Sequence, residues 1–283
     1  MSESTWNDLQ PDAGMVAALD YADVGTPRPQ ALLGVRKDKH RWSNRFADAC
    51  ARMIAAELRQ HPALKKLNVL PDDSGGSAEP PTFVAGDKSK KVDVVAASPV
   101  SGLQIGISLK GLNFRDNTHL NFDKNLTGRT YELQDEVRLI HGYQPASFMA
   151  AIYFVPIGST ADKRSSESQS SFAHIVEHLR HRTGRIDPTL PSQLEKVDSS
   201  AIALYNAGDE ESIAYQRGGS EHQFSYQDPF PRGVVRYFDV QVDPPWRGRP
   251  RLSSTLSLKE LLDLIVTRSR GATEPIDWAE PET

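Results

Sequence analysis

Hydrophobic positions along this chain recur with two different periods. Between Trp42 and Gln60, the residues Phe46, Cys50, Met53, Ile54 and Leu58 return every three or four positions, and Ser43 stands where a capping hydroxyl belongs. That spacing predicts a helix. From Leu103 to Leu109 the period falls to two, with Leu103, Ile105, Ile107 and Leu109 set against Gln104, Gly106, Ser108 and Lys110. Alternation of this kind predicts a strand, and the β-branched stretch Val92 to Ala97 predicts another before it. Ser98-Pro-Val-Ser-Gly102 supplies a turn, so the two read as a hairpin.

Farther along, Thr127 to Tyr143 reads as a helix whose apolar stripe is Leu126, Leu133, Val137 and Ile140. The unbroken apolar run Phe148 to Val155 suits a central strand buried on both faces. Ala161 to Ser171 is a charged, Ser-rich loop, and Phe172 to Arg182 a short helix. Ala201 to Tyr205 and Val234 to Val240 read as strands, and Leu256 to Arg268 as a closing amphipathic helix. This order predicts an α/β sandwich with a mixed central sheet flanked by helices, plus C-terminal strands and a helix. Residues 1–35 read as a loose or partly docked lead-in, Pro71 to Pro81 as a loop, residues 36–270 as one α/β domain, and residues 271–283 as a tail.

Composition narrows the classes of function. The chain has 283 residues, 38% hydrophobic and 25% charged, enough for one substantial core. A net charge of −4 argues against a protein that coats nucleic acid, while leaving room for local basic clusters. The single cysteine, Cys50, excludes an internal disulfide and a cysteine-built zinc site. No apolar run reaches the roughly 18 residues of a membrane span. The first residues lack the basic and apolar regions of a signal peptide, so a cytoplasmic protein without membrane association is expected. No phosphate-cradling glycine loop, dinucleotide fingerprint or nucleophile elbow is present, which removes the usual support for a kinase, dehydrogenase or serine hydrolase.

The hairpin carries the chemistry. Asp93 lies among Val92, Val94 and Val95, where a carboxylate is costly unless it meets solvent or a cation. Ser108 and Lys110, two apart on a strand, share one face. A carboxylate beside a lysine can hold a hard cation such as Mg²⁺ and serve an attacking water. The plain alternative is a solvated cross-strand ion pair worth under about 1 kcal/mol.

Asp93, a turn and Ser108-Leu109-Lys110 together resemble the PD-(D/E)xK nuclease superfamily over about residues 42–155. The resemblance implies a restriction-endonuclease-like αβββαβ core. It also implies a Mg²⁺- or Mn²⁺-dependent endonuclease of the restriction or phage-defence kind. Two departures stand out: Val92 precedes Asp93 in place of proline, and Ser108 occupies the position of the second acid. Similar S-x-K type II restriction enzymes take the missing carboxylate from the following helix, where Glu132 and Glu136 lie one turn apart. Asp123 is a further candidate, and Glu57 in the first helix could approach the metal. By this reading Asp93, Ser108, Lys110, Glu132 and Glu136 are catalytic candidates, with Asp93, Glu57 and Glu136 as metal ligands.

Basic residues gather around the hairpin. Lys88, Lys90 and Lys91 precede Asp93, Asn113 and Arg115 follow Lys110, and Arg36-Lys-Asp-Lys-His-Arg41 with Arg45 opens the first helix. Lys90, Lys91, Asn113 and Arg115 are candidate DNA contacts. Arg247-Gly-Arg249-Pro250 resembles the core of an AT-hook, which would set two guanidinium groups in a narrow minor groove. Each cluster also reads as an ordinary solvated surface run. His174, His178 and His181 fall at helical spacing, but with no third ligand evident they read as a histidine-bearing surface helix.

The expected partners are double-stranded DNA, a second copy of the chain and a methyltransferase or other defence-system protein. A duplex cutter making two nicks commonly works as a C2 dimer. The rival reading is a nuclease-fold protein that binds DNA or a partner without cutting, and RNA is an alternative substrate.

Overall fold

The computed structural model describes residues 5–28, 31, 35–72, 82–85, 88–116, 120–162, 168–187, 190–217 and 220–272. For residues 82–85, 88–90, 213–217 and 220–222 it describes the backbone alone. Near the start lie α1 (Ala13–Asp23) and the long α2 (Arg36–Gln60). Strand β1 (Asn68–Leu70) and a small hairpin of β2 (Thr82–Ala85) and β3 (Lys88–Lys91) follow. Next are β4 (Val94–Ser98), β5 (Gly102–Gly111), α3 (Leu126–Tyr143) and β6 (Phe148–Pro156). The chain continues through α4 (Ser171–Arg180) and β7 (Ser199–Tyr205). A second hairpin, β8 (Glu210–Arg217) and β9 (Ser220–Gln227), precedes β10 (Val235–Asp239) and α5 (Leu258–Ala272).

Six strands form the main sheet in the order β1-β4-β5-β6-β7-β10. Its centre is parallel, with Ser108 level with Ala151 across β5 and β6, and Tyr153 level with Ile202 across β6 and β7. The flanks are antiparallel: β1 on β4, β4 on β5, and β10 on β7. Helices α3 and α4 make the crossovers that parallel pairing demands. The β4–β5 turn closes at Gly102, whose φ of 75° favours glycine.

Side chains alternate across the sheet and divide the core into two layers. On β6, Phe148, Ala150, Ile152 and Phe154 face Met15 and Leu19 of α1, Trp42, Phe46 and Ile54 of α2, and Leu261 and Ile265 of α5. Met149, Ala151, Tyr153 and Val155 face the opposite way, toward Leu133 and Val137 of α3 and Phe172 and Ile175 of α4. A strand buried on both faces can be apolar throughout, and β6, which takes in the predicted run and Pro156, is buried at all nine positions. The protein is thus a mixed α/β structure with a six-stranded mixed sheet flanked by helices. Among the described residues no helix is long and apolar enough to cross a membrane.

Several expectations need correction. Part of the lead-in is a docked helix: Asp12 caps α1 by accepting from Met15 N, and Met15, Ala18, Leu19 and Ala22 are buried against α2. Helix α2 starts at Arg36 rather than Trp42, so the basic run is its first turns. Leu256 belongs to a bridge with Tyr237, and the closing helix begins two residues later. The short β1 and both small hairpins were not expected. Asp93 lies just before β4 rather than inside a strand. Residues 73–81 of the expected loop and 273–283 of the tail lie outside the described residues.

Candidate functional site

The polar face of β5 meets α3. Ile105, Ile107 and Leu109 point into the layer of α1, α2 and α5, so Ser108 and Lys110 emerge on the other side. There Ser108 Oγ donates to Glu136 Oε2 at 3.1 Å, and Lys110 Nζ reaches the same oxygen at 3.1 Å. Glu136 is buried at the edge of the α3 stripe made by Leu133, Val137 and Ile140. Its other oxygen, Oε1, is buried with no hydrogen-bond partner. One carboxylate oxygen thus holds two strand residues while the second is left to something else.

Asp93 stands at the mouth of β4, one residue before the Val94–Ile107 pair. Its Oδ2 accepts from Leu109 N at 2.6 Å, closing the β4–β5 ladder where backbone pairing ends. Burial pushes the carboxyl up to about 6, against the Leu109 hydrogen bond and the Lys110 ammonium; Glu136 and Asp48 push it the same way as burial. Asp93, Lys110, Glu136 and Asp48 therefore share one electrostatic neighbourhood. Asp48 was not foreseen. It is exposed on α2, one residue before the apolar pair Ala49-Cys50, and its sequence context looks like any solvated helix position.

The other proposed acids go elsewhere. Glu132, four residues before Glu136, is rotated by about 40° around the helix and faces solvent. There it pairs with Arg129 at 2.8 Å. Asp123 accepts from Asn121 and pairs with His174 at 2.7 Å, so it is tied to α4. Glu57 lines a groove between α1 and α2 with Gly14, Tyr21 and Leu258, and its charge is felt by Lys259 rather than Asp93. The structure gathers Glu136, and not Glu132 or Glu57, with Asp93, Ser108 and Lys110. Among the described residues no group of three or more His, Cys, Asp and Glu stands together as a ready-made metal cage.

Most of the basic candidates have structural work inside the protein. Asn113 is buried, donating to Ser43 Oγ and accepting from Tyr205 Oη. The Arg115 guanidinium lies 4.5–4.9 Å from the ring centres of Phe122, Phe224 and Tyr226, donates to Leu120 O, and faces Glu211 at 3.6 Å. Arg247 donates to the carbonyls of Ser168, Ala161 and Asp162, and Arg249 lies 4.7 Å over Phe230. The Arg-Gly-Arg-Pro string is therefore fastened along its own protein: Gly248 N bonds Thr160 O, and Trp6 bonds Pro250 O. Lys91 is exposed, whereas the side chain of Lys90 lies outside those described.

His178 donates or accepts at Thr130 Oγ1, 3.1 Å away, and burial with the nearby Arg182 charge brings it down to about 4. It is neutral at physiological pH. A buried charge cluster escaped sequence reading altogether. Arg28 Nε donates to both carboxylate oxygens of Asp209, at 2.6 and 2.9 Å, and its Nη2 donates to Asn113 O. These partners lie 181 and 85 residues apart, a separation that no local pattern reveals. Comparison with known protein families, curated proteins and solved structures gave no match.

Proposed function

We propose that the protein is a divalent-cation-dependent endonuclease that hydrolyses phosphodiester bonds in DNA, of the restriction or phage-defence kind. The observation that carries this reading is the convergence of Ser108 and Lys110 on Glu136, with Asp93 at the same end of the adjoining strand. The order of a helix, an antiparallel hairpin, a helix and a parallel strand supports a restriction-endonuclease-like core. Glu136 then takes the place of the acid that Ser108 leaves vacant.

The donor set fits Mg²⁺ or Mn²⁺. Mg²⁺ is bound through one or two carboxylates and keeps several waters, and the unpartnered Glu136 Oε1 is a buried acceptor that a cation would satisfy. Asp93 and Glu136 would hold the ion, which would polarise the phosphate and acidify a bound water. Lys110 places a positive charge beside that centre, where it can neutralise phosphate charge or orient the nucleophile. Ser108 positions Glu136 by its hydrogen bond and does no proton transfer of its own.

Incubating the protein with supercoiled plasmid and phage DNA, with and without Mg²⁺ or Mn²⁺, tests this directly. Cation-dependent nicking by wild type and none by Lys110→Ala is expected. Identical behaviour of the two proteins across a wide range of DNAs would sink it. Salt-dependent DNA retention without nicking would instead favour the binding-only reading, in which Lys110–Glu136 is a structural pair. Sedimentation with DNA present tests the expected homodimer.

A further inference from the structure

Strand β6 carries a single side-chain hydroxyl, that of Tyr153, in a run otherwise made of Phe, Met, Ala, Ile, Val and Pro. Tyr153 is wholly buried, and its Oη has no hydrogen-bond partner. A phenol taken out of water normally finds a partner, because the lost hydration is otherwise not replaced. Tyr205 of β7 shows the usual solution, donating to Asn113 Oδ1 at 3.0 Å.

The position of Tyr153 in the sheet says what its hydroxyl is for. It is level with Lys110 across the parallel β5–β6 pair, and both side chains leave the sheet on the side of α3. The charges that reach the phenol are those of Arg129, Glu132 and Glu136, all on α3. Arg129 and Glu132 pair with each other at 2.8 Å on the solvent side of that helix. Thr130 acts on the phenol as well, but its hydroxyl donates to Leu126 O and meets His178 Nε2 at 3.1 Å. Glu136 differs from all of these. Its Oε2 is taken by Ser108 and Lys110, while its Oε1 is buried without a partner. A hydroxyl and a carboxylate oxygen thus lie in one layer beside the same lysine, each lacking a partner, and they do not bond each other. A hydrated cation suits both, since the ion takes a carboxylate oxygen and its waters meet the polar groups around it.

We infer that Tyr153 is a positioning residue of the cation centre, hydrogen-bonding through its hydroxyl to the hydrated cation that Glu136 Oε1 would hold. The inference rests on the cation site proposed above and adds to it a residue that no motif contains. Tyr153 acts through the hydration shell and takes no part in bond making. Tyr237 offers an internal comparison. Its Oη is also buried without a partner, but it lies across the sheet in the layer of α1, α2 and α5.

The test is cation binding by the full chain without DNA, so that hydrolysis makes no contribution. Mn²⁺ is titrated into wild type, Tyr153→Phe, Tyr237→Phe and Glu136→Gln, and the free ion is read by electron paramagnetic resonance. Losing an outer-shell partner typically costs about 10–100-fold in metal affinity, so Tyr153→Phe should weaken Mn²⁺ binding by about tenfold or more. Tyr237→Phe should bind as wild type does, and Glu136→Gln should bind least. Mg²⁺ should also perturb the near-ultraviolet tyrosine absorption of wild type and Tyr237→Phe, but not that of Tyr153→Phe. Urea unfolding without cation checks the fold: Tyr153→Phe removes only an unpartnered hydroxyl and should be at least as stable as wild type. That absorption change, read in wild type alone, decides the matter if the variant does not fold. Wild-type Mn²⁺ affinity in Tyr153→Phe, with Glu136→Gln impaired, overturns the inference and leaves the cation site standing. Failure of wild type to bind either ion overturns the cation site and this inference together.

Discussion

Lys110 Nζ stands 3.1 Å from Glu136 Oε2, with the two side chains only 12% and 7% exposed. Removing one member of so enclosed a pair leaves an uncompensated charge, which typically costs about 3 kcal/mol or more. Lys110→Ala should therefore lower the urea unfolding free energy as well as abolish nicking. Lys110→Ala with Glu136→Gln should recover much of the stability and none of the activity.

The helix carboxylates are separated by function. Glu136→Gln should abolish cation-dependent nicking, while Glu132→Gln and Glu57→Gln should stay within about threefold of wild type, a difference of under about 1 kcal/mol at the transition state. Plasmid assays at matched protein concentration measure this. Loss of activity in Glu132→Gln with Glu136→Gln still active would reverse the assignment.

Asp93 makes stability depend on pH. Its carboxyl sits at about 6 in the folded protein, above the unfolded value of about 3.9. The folded state therefore holds the proton more tightly, and this group's contribution falls as pH rises from about 4 through about 6. Asp93→Asn keeps an acceptor for Leu109 N and removes the ionisation. It should match wild type below pH 4 and gain about 3 kcal/mol well above pH 6. Thermal melts across that window measure the difference, and Mg²⁺ should then stabilise wild type more than the variant.

Gly158 is held small by its neighbours. A Cβ there would lie 2.6 Å from Arg115 Nη2 and 2.9 Å from the Tyr226 ring. Gly158→Ala should destabilise the protein by about 1–3 kcal/mol through overpacking. Chemical denaturation measures the loss.

Arg247 donates to three carbonyls around the loop that follows Thr160. Arg247→Ala should lower the melting temperature and leave DNA affinity within about twofold, because the guanidinium is already committed within the protein. A large loss of DNA affinity with unchanged stability would restore the minor-groove role.

What the sequence disclosed depended on range. Periodicity located α2, α3, β5 and β6, because each buries a face that repeats within a few residues. It missed β1, only three residues long, and the polar-rich arm of β8 and β9, which are strands through pairing rather than through propensity. At the site, Asp93, Ser108 and Lys110 stood out from local spacing alone. The choice of Glu136 over Glu132 came down to a small rotation on one helix, fixed by how Leu133 and Val137 seat against the sheet. Arg115 read as a surface cation because the rings that enclose it arrive from Phe122 and from Phe224 and Tyr226, more than a hundred residues later.

Helix α2 also acts as a measuring rod. Arg36 at its start borders a cleft also lined by Asn113 and Arg115, and Asp48, twelve positions on and about 18 Å along the axis, reaches the electrostatic neighbourhood of Asp93. Trp42, Phe46 and Cys50 clamp the face between them into the core. A single residue inserted near Ser43 would turn one end of the rod by about 100° relative to the other. Substitutions along this stretch can be absorbed one at a time, but changes in its length cannot, so the spacing between that cleft and Asp93 is recorded in the residue count of one helix.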